Sequence, residues 1–196
     1  MSRTSARDFG LLALRSGVGG VLIAHGGQKL FGWFGGPGLR KTGVTFENLG
    51  FRPGKLNAMA AGLGEAGGGA LLMVGLATPG AAAAAAGTMI VAASMHLEKG
   101  FFAGKGGYEY PAVLGWSAAA LALTGPGALS LDHVSGHRLN RSWIRNLALA
   151  AAAPAAMLVI FGRRRAVAAL QVSAQDHITH DVTGRPTAEP AKQTAG

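Results

Sequence analysis

Glu65 is a single carboxylate near the middle of an apolar run, Leu56 to Leu76, with Gly62, Gly64, Gly67, Gly68 and Gly69 around it. An unpaired acid at membrane depth is costly, so a carboxylate in such a run marks a functional site by default. Other ionisable residues approach it once the apolar runs are drawn as helices. His25 and Lys29 are four residues apart, hence on one helix face. His96 and Glu98 end another run, and Tyr108, Glu109 and Tyr110 open the next. Histidine exchanges protons near neutrality, and a carboxylate sealed in an apolar site can carry one, so Glu65, His25, His96 and Glu109 are the candidate proton-handling groups. Lys29, Arg15 and Tyr108 are the candidate contacts to a substrate or cofactor.

The placement of these residues follows from the order of the spans. Span one runs from Phe9 to Leu30, span two from Leu56 to Leu76, span three from Ala81 to Leu97 and span four from Tyr108 to Thr124. Thr78-Pro79-Gly80 and Gly125-Pro126-Gly127 are turn signals between them. If the N-terminus lies on side A, successive crossings bring Lys29, Glu65, His96 and Glu109 into the half nearer side B. Glu65 then lies about 13 Å below side B at 1.5 Å per residue. Residues at the helix ends could instead simply snorkel to the interface. Glu65 is too deep for that, and its structural alternative is an ion pair with Arg15, Lys29 or His25.

Composition agrees with membrane residence. The chain has 196 residues, is 49% hydrophobic and only 14% charged, and has a mean hydropathy of +0.29. Its net charge of +9 comes from Lys and Arg beside apolar runs, as loops of membrane proteins require, and this argues against nucleic acid. There is no cysteine, which removes disulfides and thiolate chemistry within the chain. The first apolar run is read as retained, because Arg15 interrupts it and no small-residue cleavage pattern closes it.

The long connection from Gly35 to Lys55 reads as a loop with a short surface helix around Val44 to Leu49. A polar connection after span four leads to a fifth apolar segment, Ile144 to Phe161, closed by Arg163, Arg164 and Arg165 and read as a further span. With five spans the positive-inside rule places side B in the cytoplasm; with four the balance is nearly even. Residues 166–196 read as a disordered polar tail. Gly64 and Gly68 form a GxxxG pair suited to close helix packing. His133 and His137 are four apart without the HExxH pattern, so no metal site is expected.

Four segments together resemble the DoxX family of small bacterial membrane proteins. They are His25-Gly26-Gly27-Gln28-Lys29-Leu30-Phe31, Gly64-Glu65 with Gly68-Gly69, Gly106-Gly107-Tyr108-Glu109, and Gly125-Pro126-Gly127 followed by Ser130-Leu131-Asp132. The resemblance covers Phe9 to Asp132 and implies an all-α, polytopic four-helix bundle in the bacterial cytoplasmic membrane. Residues 1–132 would form that bundle and 133–165 the connection and fifth helix. Some family relatives are subunits of a thiosulfate:quinone oxidoreductase, and others accompany oxidative-stress enzymes. Three functions are therefore open: an accessory or anchoring subunit docking a soluble redox enzyme, a quinone-linked oxidoreductase subunit, or a proton or small-solute pathway. Partners would be the bilayer, that soluble enzyme and further copies of the chain.

Overall fold

The computed structural model describes residues 5–183, and within them every regular element is helical. Seven α-helices follow one another: α1 (Ala6–Phe31), α2 (Gly38–Asn48), α3 (Gly54–Val74), α4 (Thr78–Ser94), α5 (Glu109–Thr124), the single turn α6 (Leu131–Val134) and α7 (Ser142–Thr183). Short 3-10 turns at Trp33–Gly35, Leu97–Lys99 and Ala103–Lys105 lie in the side-B loops. The helix starting at Gly38 is longer than the surface helix expected near Val44.

The helix limits have local causes. Ser5 caps α1 in a reciprocal box with Asp8, satisfying two backbone donors. Gly32 (φ 76°) and Gly75 (φ 68°) end α1 and α3 in the left-handed region, where a side chain would be strained.

α1 and α3 pack backbone to backbone. A Cβ on Gly19 would sit 2.5 Å from the Gly69 carbonyl oxygen, and one on Gly26 would sit 2.5 Å from the Ala66 nitrogen. Gly62 is filled from the other side by Leu30. The glycines that allow this approach are thus Gly19, Gly26, Gly62 and Gly69. Gly64 and Gly68 have no atoms of other elements near them and face outward, so the GxxxG pair does not make this interface. The reason is register: Gly62, Glu65 and Gly69 share the buried face of α3, and Gly64 and Gly68 fall on the opposite side.

α4 lies against α5 and α7, and α3 closes the remaining side. Its alanines Ala82, Ala83 and Ala85 are buried with Met89, and they meet Val18, Leu22, Leu72, Leu114, Ala118 and Leu121. Alanine gives a helix that neighbours can approach closely at little propensity cost.

The surface of the bundle is more apolar than that of a water-soluble domain, and its interior holds charged groups among the apolar ones. Its largest fully buried side chain is Arg15, and Glu65 and Asp132 are buried too. Meanwhile Trp116 is 82% exposed and Leu158 73%, with Leu63, Val113, Leu123 and Leu147 also outward. Soluble proteins rarely display so many large apolar side chains.

By length and hydropathy, α1 and the Ser142–Ser173 part of α7 can cross a bilayer. α4 is apolar but has only 17 residues. This is fewer than the four or five spans expected from the sequence. Lys55, Asn57, Glu65 and six glycines dilute the hydropathy of α3, and α5 stops after 16 residues at Gly125.

The C-terminal expectation also changes. α7 runs without interruption from the apolar segment to Thr183, so residues 166–183 are helical rather than a disordered tail. Extending an existing helix avoids the nucleation cost, and Ala166, Ala168, Ala169, Leu170 and Gln171 are good helix formers. Residues 184–196 of that tail lie outside the described residues.

Candidate functional site

The sequence-predicted residues divide between two ends of the bundle and a loop. At the side-B end a cavity of about 510 Å³ is bounded by α1, α3, α4, α5 and the α2–α3 connection. His25, Lys29, Glu65 and His96 all line it. So does Tyr110, with apolar walls from residues such as Leu22, Phe46, Phe51, Met89 and Leu114.

Three polar arrangements shape the cavity. Lys29 Nζ donates to Glu65 Oε2 at 2.6 Å, and the pair is the short link between α1 and α3. The glycine contacts described above bring the two helices close enough for it. Of the three partners open to Glu65, Lys29 is the one bonded. A charge-assisted bond of this length satisfies one carboxylate oxygen and leaves the other available to a ligand.

His25, one turn before Lys29, shares a 2.8 Å hydrogen bond between its Nε2 and the Tyr110 hydroxyl. The rings lie 5.4 Å apart, which ties the end of α1 to the start of α5. His96 follows α4, where its Nδ1 lies 2.8 Å from the Gly106 carbonyl oxygen. A carbonyl only accepts, so Nδ1 is the donor of this bond and Nε2 is left facing the cavity.

Arg15, Glu109 and Tyr108 stand outside this cavity. Arg15 is fully buried at the opposite end, donating through Nη1 to the carbonyls of Leu72 (3.3 Å) and Met73 (3.4 Å) and through Nη2 to that of Leu129. It serves the C-terminus of α3 rather than Glu65. Glu109 turns back to accept the Ala103 N–H at 2.8 Å, closing the loop before α5. Tyr108 packs edge-on against Phe101 at 5.5 Å in the same loop.

Of the two neighbouring tyrosines, Tyr110 rather than the expected Tyr108 lines the cavity. α5 begins at Glu109, so Tyr108 precedes the helix, while Tyr110 lies one turn from the buried Leu114. Sequence reasoning missed Asp132. Both Asp132 oxygens accept backbone bonds at 2.9 Å, from Ala77 and Thr78, which start α4. The Ser130-Leu131-Asp132 segment contained the signal, since serine followed by an acid is a common helix-start pattern, but the helix it caps is distant in sequence. Among the described residues no cluster of three or more metal-ligating side chains occurs.

An all-helical bundle with Arg15, Glu65 and Asp132 buried and many large apolar side chains exposed supports a membrane protein. Residues 10–97 match the family model DoxX, so through this stretch the chain is similar to that family. The matched stretch includes His25, Lys29, Glu65 and His96 and stops before Tyr110, Asp132 and α7. No curated protein and no solved structure matches the chain.

Proposed function

We propose that the chain is a multi-pass protein of the bacterial cytoplasmic membrane in which α1, α3, α4, α5 and α7 all cross. It acts as an accessory subunit of a membrane redox system, and its side-B cavity receives the head of a membrane quinone. The observation carrying this reading is that His25, Lys29, Glu65, His96 and Tyr110 line a single cavity with otherwise mostly apolar walls. Ligand pockets commonly enclose about 300–1,000 Å³, with a few polar groups set among apolar ones.

The donor set fits a ring bearing two carbonyl oxygens. The Tyr110–His25 pair can present a proton to one oxygen, and Lys29 can donate to another while holding Glu65. The free oxygen of Glu65 and Nε2 of His96 are the positions at which a proton can wait. The quinone, when bound, supplies a two-electron acceptor, and the electrons come from a soluble partner enzyme. The short apolar helices α4 and α5 can cross because bundles tolerate spans near the lower length limit when neighbours shield their ends.

Purification of the full chain in mild detergent, followed by solvent extraction and chromatography, tests this directly. Near-stoichiometric quinone in the wild type, lost in Glu65→Gln and His25→Ala, is the expected result. An empty wild type from quinone-containing membranes overturns it.

A second reading, that the protein anchors the partner through its loops, has its own observation. Arg40, Lys41, Lys55, Arg164 and Arg165 are all exposed at the side-B end. Reversal of Arg40 and Lys41 to glutamate would release an acidic partner while leaving quinone content unchanged.

A further inference from the structure

A second cleft lies beside the first, between the end of α4 and the C-terminal half of α7. It encloses about 360 Å³. The α7 side is one helix face, Ile160, Arg163, Arg164, Val167, Ala168 and Gln171, repeating every three to four residues. Ser94, Leu97 and Glu98 close it from α4 and the turn after it.

Arg163 is held before any ligand arrives. Its Nε donates to the Leu49 carbonyl at 2.8 Å, and its guanidinium carbon lies 5.8 Å from the centre of the Phe51 ring. Those two contacts fix the plane of the group through its inner nitrogen. Both terminal nitrogens remain without a hydrogen-bond partner among the described residues. A planar fork with two free donors on a fixed stem is the geometry that takes a phosphate bidentately, with little further loss of side-chain freedom. Arg164 is exposed and makes no ion pair among the described residues, and Arg165 follows it. Among the described residues that line the cleft Glu98 is the only acid, beside Arg163 and Arg164, so their balance of charge is cationic.

The apolar part of the cleft identifies the source of the phosphate. Ile160 is buried, Leu97 is exposed, and the apolar stretch of α7 leads up to Arg163 from the membrane side. A basic pocket between helices at the membrane surface suits an anionic lipid head group, with the chains running down along the helix. We propose that the Arg163–Arg164 cleft binds the phosphate of an anionic phospholipid. This rests on the proposed crossing of α7, but not on the quinone reading. Because Arg163 also holds Leu49 and Phe51, which line the larger cavity, the bound lipid would brace one wall of it.

The test uses full-length protein exchanged from detergent into phosphatidylcholine nanodiscs doped with phosphatidylglycerol, followed by native mass spectrometry of retained lipid. Phosphatidylglycerol should be enriched over phosphatidylcholine. Arg163→Gln with Arg164→Gln should lower the enrichment by about tenfold, as loss of charge-assisted bonds implies. Arg138→Gln with Arg141→Gln, at the other end of the bundle, should leave it unchanged. Arg164→Gln alone breaks no contact of the fold and keeps the test usable if the double variant misfolds; it should lower the enrichment in part.

Equal retention in the Arg163/Arg164 variants, or equal loss in the Arg138/Arg141 control, overturns the proposal. Displacement of the lipid by millimolar inorganic phosphate that itself binds through Arg163 assigns the site to soluble phosphate and overturns the lipid assignment. The absence of native cysteine allows the crossing to be checked separately. Single cysteines placed at Gln171 and at Arg138 should label from opposite sides of sealed vesicles. Same-side labelling overturns the α7 crossing, whereas opposite labelling without lipid enrichment overturns the cleft alone.

Discussion

Arg15 and Asp132 stand on either side of the short turn between α3 and α4, each facing the helix end of opposite partial charge. The guanidinium takes the last carbonyls of α3, Leu72 and Met73, and the carboxylate takes the first amides of α4, Ala77 and Thr78. Helix C-termini carry partial negative charge and N-termini partial positive charge, so both groups are stabilised where they lie. Two buried charges are thereby accommodated without bonding directly to each other. Gly75 leaves room for the arrangement, because a side chain there would occupy the position of Arg15 Nη1.

Asp132→Ala should therefore be among the most damaging single changes outside the cavity. It removes two backbone bonds to a charged acceptor and leaves Arg15 without a nearby countercharge. A loss of about 3 kcal/mol is expected from bonds of about 1.5–3 kcal/mol each, offset in part by relaxation. A lowered unfolding midpoint in detergent, monitored by tryptophan fluorescence, checks it. Asp132→Asn should fall between Ala and wild type, since one acceptor oxygen survives. A wild-type midpoint for Asp132→Ala would contradict the capping role.

The Lys29–Glu65 pair calls for a different pattern. Glu65 is buried and Lys29 half-buried, so removing one member strands the other at less than the ~3–5 kcal/mol of a fully buried pair, whereas removing both can be close to neutral. Lys29→Met and Glu65→Gln should each lower stability, and the double variant should recover most of it. The coupling is read from a double-mutant cycle on the same unfolding midpoints. Additive losses would show that the two groups do not depend on each other in the membrane.

Much of this arrangement was legible in the sequence. The convergence of His25, Lys29, Glu65 and His96 followed from helix direction and rise alone, because alternating antiparallel helices have few ways to place their polar residues. The division between Arg15 and Asp132 was not legible, since the chain order gives no sign that residue 132 returns to cap a helix beginning at residue 78. Tyr108 falls one position before the helix, which begins at Glu109. A side chain before the first turn of a helix points into the loop, and the boundary is set by the hydrogen bonds of Gly100 and Phe101 with Tyr108 and Glu109, which spacing does not reveal. The glycines of α3 were ambiguous for another reason. Six of them satisfy several packing registers at once, and only contact with α1 selects Gly62 and Gly69.

That selection leads to a test of packing. Gly19→Val and Gly69→Val should disrupt the α1–α3 interface, because the first Cβ already collides with backbone on the other helix. Gly64→Leu and Gly68→Leu face open space and should preserve the fold, with any effect confined to association between copies. Size-exclusion profiles in detergent distinguish the outcomes: aggregated or poorly expressed protein for the first pair, a single wild-type peak or a shift in oligomer size for the second. Disruption by Gly64→Leu alone would mean that α3 is rotated from the register described.

Tyr110 offers the sharpest discrimination between a cavity that binds and one that only packs. Its hydroxyl bonds His25 across the cavity end, while the neighbouring Tyr108 lies in the loop. Tyr110→Phe keeps the ring and deletes only the bond, at a stability cost of about 1 kcal/mol. Were the site to hold a carbonyl ligand through the Tyr110–His25 pair, quinone retention would fall by about tenfold, because a ligand acceptor left without its donor costs about 1–3 kcal/mol. Tyr108→Phe should change neither quantity. Quantifying extracted quinone per mole of protein for the two variants, alongside their unfolding midpoints, separates a loss of binding from a loss of fold. If Tyr110→Phe binds as the wild type does, the hydroxyl serves only to fix α1 against α5.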